Sequence, residues 1–431
     1  MTTMSTIRSA LGAKVDQAAK LLADGYLFQE RLRASKGRKA SDGCPLDFTF
    51  MGKPATLVRG SKGIDLFYDT KRVKREQAMP LPVRGPFFGA GAIHGTDDDV
   101  HLARKANFVK VVYDDAQVER FKPIIEDELR KMVQTWSRRT GNVYQDTVVA
   151  YGRAALKWAG VPGSDADLDP WAERLGQIVE GFGHMPAGHA LAWVNRARCD
   201  KWAANLIDKQ RSGEINAPEG TALCEWARFR GTDGDLLDAK LAGIELQNST
   251  RPAIAVSRFA AFAARYLVLY PQYRDDIAAE VESSGTLVDN EHAIAFAQEV
   301  RRISPFVPML PAFARDDFEW DGHQIKEGQR VIIDVLGTNT DPSEWEEPLR
   351  FKPERFLGVD NAETIKAFIP QGGGDVATGH RCPGEKIAVT ELAAIVSALC
   401  QPGISIDPGD LDYDPTMMPT RPRSGGRVHR G

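Results

Sequence analysis

The sequence has no apolar run approaching the roughly 20 residues needed to cross a bilayer, and residues 1–20 lack the apolar core of a secretory signal. A cytoplasmic protein with no membrane anchor is therefore expected. Cysteine is scarce: five among 431 residues, namely Cys44, Cys199, Cys224, Cys382 and Cys400, with no paired spacing. That argues against a disulfide framework or a structural zinc site and fits a reducing compartment. Neither sign of charge dominates, the formal net charge being -4, so nothing points to a nucleic-acid partner. Internal repeats and low-complexity linkers are missing too, and the length suits one large enzyme domain as well as two or three average ones.

What is present concentrates first in residues 368–385, where a glycine-rich loop (Gly372, Gly373, Gly374, Gly379) ends in Cys382-Pro383-Gly384-Glu385 before an apolar, helical run over 386–400. A thiolate just ahead of a helix is favoured by the free amides and the dipole. The glycines let the backbone approach something flat and bulky, and His380 and Arg381 are placed to meet anionic groups on it. A cysteine serving as proximal ligand to a haem iron would use all of these features. A merely buried cysteine beside a capped helix has the same local look.

Along the chain, helical periodicity covers residues 7–35, 111–139, 143–159, 190–211 and 236–270, the last long enough to cross the molecule. Residues 48–58 read as a hairpin turning at Gly52-Lys53, residues 318–320 and 329–333 as short strands. The Pro- and Gly-rich passage 79–91 is expected to break regular structure, and the tail 403–431 to be irregular. Asp97-Asp98-Asp99 opens a helix carrying His101, Arg104 and Lys105 on one face, a grip for anions or a solvated basic face. Val179 and Phe182, three apart in an apolar stretch, can line a pocket or pack in the core. Arg75 is a further candidate for an anionic group.

The discriminating feature lies in the run around Arg251-Pro252. Pro252 has no amide to donate and its ring crowds the carbonyl of Asn248, so the helix should kink or open there. Arg251 has Gln247, Asn248, Ile254 and Ala255 at the neighbouring helical positions and no carboxylate among them. Buried and unpaired, a guanidinium is too costly. It requires an anion, for which a substrate carboxylate serves; pairing with an Asp or Glu distant in sequence, or reaching solvent, would satisfy it as well.

Together these motifs resemble the cytochrome P450 family. The cysteine loop is similar to its haem-binding signature, although Asp375 and Val376 stand where a phenylalanine and a glycine are usual. Glu299-x-x-Arg302 and Arg355 precede it in the family's order, and the resemblance implies that they form a buried network behind the haem. Most members that activate dioxygen carry an acidic residue and a threonine in the central helix. Arg251-Pro252 in that place resembles the fatty-acid peroxygenase branch, in which the substrate carboxylate held by the arginine acts as the acid-base group for peroxide.

The resemblance implies a mainly α protein with small β-sheets and the cytochrome P450 fold, as one domain over 1–431. Its parts would be a β-rich substrate-channel region at 46–90, a helical region at 98–303 and a meander with the haem-thiolate loop at 304–431. It also implies haem b, with Cys382 as axial thiolate to iron and with His101, Lys105, Arg75, His380 and Arg381 as further haem-binding residues. Catalysis would fall to Arg251, Pro252 and His94, and substrate contact to Arg251, Phe88, His94, Val179 and Phe182. The expected partners are a long-chain fatty acid and hydrogen peroxide, with no nucleic acid and no required redox partner. A histidine at the His94 position is associated in that branch with decarboxylation to terminal alkenes, so α/β hydroxylation and decarboxylation are both expected. The competing readings are a redox-partner-dependent monooxygenase, a haem-thiolate hydroperoxide isomerase and, outside the enzymes, a haem-based binder or sensor.

Overall fold

The structure is a computed structural model and describes residues 16–181 and 187–431, without the side chain of Ala187. Helices dominate and three small sheets sit among them. The hairpin is built from Leu46–Phe50 and Lys53–Val58, whose register pairs Phe50 with Lys53. Its two turn residues are therefore Met51 and Gly52, one position earlier than the sequence suggested. Both have positive φ, 52° and 73°, the geometry whose twist matches paired strands. The hairpin extends through Arg330–Asp334, parallel to Lys53–Val58, and then Met309–Ala314 and Val73–Lys74, to five strands. This sheet closes a separate apolar cluster around Leu57, Met309 and Ile332 on one face.

The helical core surrounds Ala239–Ala255 and Ser257–Leu269, which together form the central rod. It packs against Ala187–Ser212, Val143–Trp158 and Asp165–Glu180. Asp238 starts it by accepting the Leu241 amide at 3.1 Å, an N-cap that satisfies an otherwise orphaned donor. The helix runs through Pro252 and opens one turn later, where Val256 interrupts it before Ser257. The rod is long and apolar enough to cross a membrane by length and composition, but 78% of its most apolar window is buried inside the protein, and its first half buries polar residues including Glu245, Asn248 and Arg251. The cysteine helix, Glu385–Leu399, packs on Asp115–Thr135 and Glu291–Ile303.

Two expectations resting on prolines and glycines fail, the second in part. Residues 79–91 are not without structure: Leu81–Phe88 is a helix containing Pro86. Pro82 stands in its first turn, where a missing amide costs nothing. Gly85 lets it approach the Trp193 ring so closely that a Cβ there would lie 2.2 Å from Cη2. The tail is irregular over 407–426 as expected, but its ends are not, because Arg427–Arg430 pairs with both Ile404–Ile406 and Gly141–Asn142. The helical stretch 111–139 is also divided, with a π turn at Val109–Tyr113 before Asp115–Thr135.

Candidate active site

Cys382 lies at the junction of the glycine loop and its helix. Its amide donates to the carbonyl of Gln371 at 3.3 Å, and Gln371 Oε1 in turn accepts two bonds from Arg301. Arg301 and Arg381 both pair with Glu385, in the first turn of the cysteine helix. Gly374 has φ +77° and sits under Tyr68, whose Cγ a Cβ would meet at 2.9 Å. Asp375, the unusual residue of the loop, folds it locally by accepting the Ala377 and Thr378 amides and the Thr378 hydroxyl. The turn therefore replaces a glycine conformation with a side-chain bond.

Burial pushes the Cys382 thiol up and Glu385 adds to this, outweighing the Gly384 amide and Lys105. The helix N-terminus alone thus does not hold a thiolate here, contrary to the argument from position. A cationic metal at the sulfur would.

Beside the sulfur the chain gathers cations. His101 and Lys105 are buried. His101 stacks on His380 with 4.0 Å between ring centres, its Nε2 lies 3.1 Å from the Gly379 carbonyl, and its Nδ1 is buried with no hydrogen-bond partner. Lys105 donates to the Arg381 carbonyl, and burial lowers its pKa to about 8. Arg75 lies over the Phe67 ring at 3.6 Å, and burial lowers it to about 10. His380 is lowered to about 3, burial outweighing its bond to Asp97.

Burial alone would raise Asp97, but His380 and the amides of Arg75 and Glu76 hold it at about 2. One carboxylate faces a cluster of desolvated bases. A group with two carboxylates, carried on a flat body that the glycine loop tolerates and a metal that the cysteine completes, fits the unpartnered His101 Nδ1 and the buried charges of Lys105 and Arg75. Haem b is such a group.

Two arginines depart from this cluster. Arg381 contributes its carbonyl, whereas its guanidinium turns to Glu385 and to the Glu363 carbonyl at 3.2 Å and lines a separate pocket with Tyr68. Arg104, placed on one face with His101 by spacing, reaches instead to Gly91 O and Glu245.

On the other side, the central rod presents Arg251. It is 2% exposed. Nη2 donates to Asn248 Oδ1 at 2.8 Å, Nη1 is buried with no hydrogen-bond partner, and the group lies 5.1 Å over the Phe87 ring. Burial and then the charge of Arg196 lower its pKa to about 9, with partial relief from Asp200. Arg196 pairs with Asp200 one helical turn on, and Gln247 donates to the same carboxylate at 3.0 Å. Among the described residues no ion pair reaches Arg251 itself, as the sequence pattern indicated.

Phe88 and His94 stack at 4.0 Å and 21° between planes. His94 is open to solvent in the bare chain, yet burial among protein atoms and then Arg251 push its pKa well below the usual value. A side chain with both properties lines an internal space. Val179 is buried on Asp165–Glu180, which packs against the rod. Phe182 lies outside the described residues.

Sequence reasoning missed Glu245, Asn248, Arg196 and Asp200. The first two were legible, because Glu245, Asn248 and Arg251 recur every third residue and so share a helix face. Nothing local marked Arg196, since the pair with Asp200 looks like any surface i,i+4 pair until its helix is packed on the rod.

Comparison with known proteins gives the following. A protein-family model described as cytochrome P450 matches residues 294–402. Among curated proteins, a putative cytochrome P450 137 of Mycobacterium tuberculosis is 24% identical, over 79% of this chain and 73% of that protein. Among solved structures, a variant of cytochrome P450 OleT in complex with arachidonic acid superposes with a TM-score of 0.87 at 31% identity, covering 96% of each chain. Cytochrome P450SP alpha (CYP152B1) in complex with (R)-ibuprophen also gives 0.87, at 33% identity, covering 96% of this chain and 98% of the other.

Proposed function

This chain belongs to the cytochrome P450 family and carries a haem with thiolate-ligated iron, and on that premise we propose that it is a hydrogen-peroxide-dependent fatty-acid peroxygenase. The observation that carries the reading is Arg251, a buried guanidinium with one nitrogen unpartnered and no ion pair among the described residues, where a dioxygen-activating member would carry an acid and a threonine. OleT bound to arachidonic acid and P450SP alpha bound to (R)-ibuprophen are both similar proteins holding carboxylic acids.

A fatty-acid carboxylate accepts from Nη1 and Nη2 of Arg251 and neutralises the charge that the fold leaves buried. Asn248 keeps the guanidinium in place through Nη2, and Phe87 covers its face, excluding water. One carboxylate oxygen stays on Arg251, and the other is free to take a proton from hydrogen peroxide and return it to the departing oxygen. Cys382 would hold the haem iron through its sulfur, and the haem would supply the oxidising power when bound. His94 has its pKa pushed down by burial and by Arg251, so it stands neutral near pH 7 and orients rather than protonates. Together with Phe88 it walls the first carbons of the chain.

Anchoring the carboxylate leaves carbons 2 and 3 nearest the oxidant. Hydroxylation converts one acid and one peroxide into a 2- or 3-hydroxy acid and water. Decarboxylation converts them into a terminal alkene, carbon dioxide and two waters.

The test uses haem-loaded protein with a long-chain saturated fatty acid, fed either peroxide or a ferredoxin and its reductase with NADPH. Peroxide alone is expected to suffice. Arg251→Gln removes charge-assisted bonds of about 1.5–3 kcal/mol each, so kcat/KM should fall roughly 100-fold. Turnover near the original rate, or product only with the electron-transfer chain, overturns the reading.

A further inference from the structure

We propose that Glu245 is a positioning residue, which ties the loop carrying Phe88 and His94 to the same helix face as Arg251 and so sets which carbon of the substrate is attacked. This rests on the function proposed above.

Glu245 has no exposed side-chain surface. Its Oε1 accepts the Ile93 amide at 2.8 Å and Arg104 Nη1 at 3.3 Å, and its Oε2 accepts Asn248 Nδ2 at 3.1 Å. Those partners continue the tie. Arg104 also donates to the Gly91 carbonyl, and Asn248 also donates to the Phe88 carbonyl at 3.1 Å. The backbone of residues 88–93 is thus held at three points, Phe88 O, Gly91 O and Ile93 N, each by Glu245 or by a residue that Glu245 holds.

The other end of the row is Arg251, which donates to Asn248 Oδ1. Anchor and wall are therefore referenced to one rigid element. A carboxylate fixed on Arg251 meets the Phe88–His94 stack at a separation that this network fixes, and shifting the loop moves the wall along the substrate without moving the anchor. All three groups reaching Glu245 are donors, so only an acceptor with two free oxygens satisfies them together. A carboxylate needed for stability alone would serve as well anywhere in the core; this one bonds the residue next to His94.

Glu245→Gln keeps the size and turns an amide nitrogen against a donor. Hydrogen exchange of the peptide spanning 88–95 should rise at least tenfold, while peptides of Ser257–Leu269 stay as they were. With a long-chain fatty acid and peroxide, the ratio of 2-hydroxy acid, 3-hydroxy acid and alkene should shift at least threefold, with Kd for the acid changed by less than about threefold. Arg104→Met, at the outer edge of the network, should move both readouts in the same direction by less, and decides the matter if Glu245→Gln does not fold.

Unchanged exchange at 88–95 overturns the tie, and raised exchange with an unchanged product ratio overturns its role in selectivity. A Kd that weakens in step with product loss assigns Glu245 to support of Arg251 alone and equally overturns it. Raised exchange in a protein whose unmodified form leaves fatty acids untouched retains the tie but overturns the function, and the product assignment with it.

Discussion

Glu245 and Glu391 are both carboxylates buried in helices, and the fold treats them in opposite ways. Glu245 is met by three donors, whereas neither oxygen of Glu391 has a hydrogen-bond partner among the described residues. Burial therefore pushes the Glu391 pKa well above its usual value and favours the neutral form in the native state. Its proton is bound more tightly by the folded chain, so its contribution to stability is intact below the unfolded value of 4.5. That contribution is lost as pH rises through the window above, by about 1.4 kcal/mol per pH unit. Glu391→Met fills the same space with no proton to lose and no unmet hydrogen bond. The variant is expected to melt higher than the parent at pH 7, with an advantage that narrows steadily as the pH is brought down towards 4.5. Melting curves from pH 4.5 to 8 read this directly, and a gap independent of pH would show that Glu391 finds a partner.

At the scale of elements, Glu291–Ile303 acts as a bracket because its two consecutive arginines face opposite neighbours. Arg301 holds the cysteine loop through Gln371 and Glu385. Arg302 pairs with Glu299 through two bonds of 2.6 and 2.7 Å and donates to the carbonyls of Asn339 and Pro348. Arg355 adds a 3.6 Å contact to Glu299. Glu299→Ala leaves Arg302 buried and uncompensated, a change that costs about 3–5 kcal/mol. The variant should melt markedly lower and carry less haem per chain after purification, read from the ratio of Soret to protein absorbance. Full haem content with an unchanged melting temperature would show that the pair is dispensable.

This bracket was legible as Glu-x-x-Arg, a spacing that places the two on one helix turn, while its burial followed only from the family resemblance and is observed, Glu299 and Arg302 being fully buried. The same split between local pattern and surroundings holds elsewhere. The helix Val143–Trp158 and the strand Phe318–Trp320 follow from local pattern. The helix Leu81–Phe88 and the strand Arg427–Arg430 do not, because they depend on what packs beside them: Trp193 over Gly85, and Gly141–Asn142 beside Val428. Arg251 was readable because its neighbours along the chain supply no counter-charge. Arg381 was readable as a basic residue of the cysteine loop, but residue type alone did not show that its guanidinium pairs with Glu385 while one nitrogen stays unpartnered.

For the whole molecule, haem acts as part of the core. Without it the fold encloses two buried cations, Arg75 and Lys105, beside two histidines whose pKa burial lowers, a His101 nitrogen with no partner, and a Cys382 whose thiol is pushed up by burial. Bonds to backbone carbonyls and a ring contact offset only part of that desolvation, since burial still lowers both Arg75 and Lys105. A ligand bound only by the folded state stabilises it by RT ln(1 + [L]/Kd), about 4 kcal/mol at a thousandfold excess over Kd. The haem-free protein should therefore melt well below the reconstituted one, and the gap should widen as haem is added in excess. His101→Ala, which removes the unpartnered nitrogen together with its ring, should narrow the gap by weakening haem binding while leaving the melting of the haem-free form nearly unchanged. Calorimetry on the four samples separates these contributions. Coincident transitions with and without haem would mean that the cluster is balanced within the protein itself, and the argument that assigns it to two carboxylates of a bound group would fail.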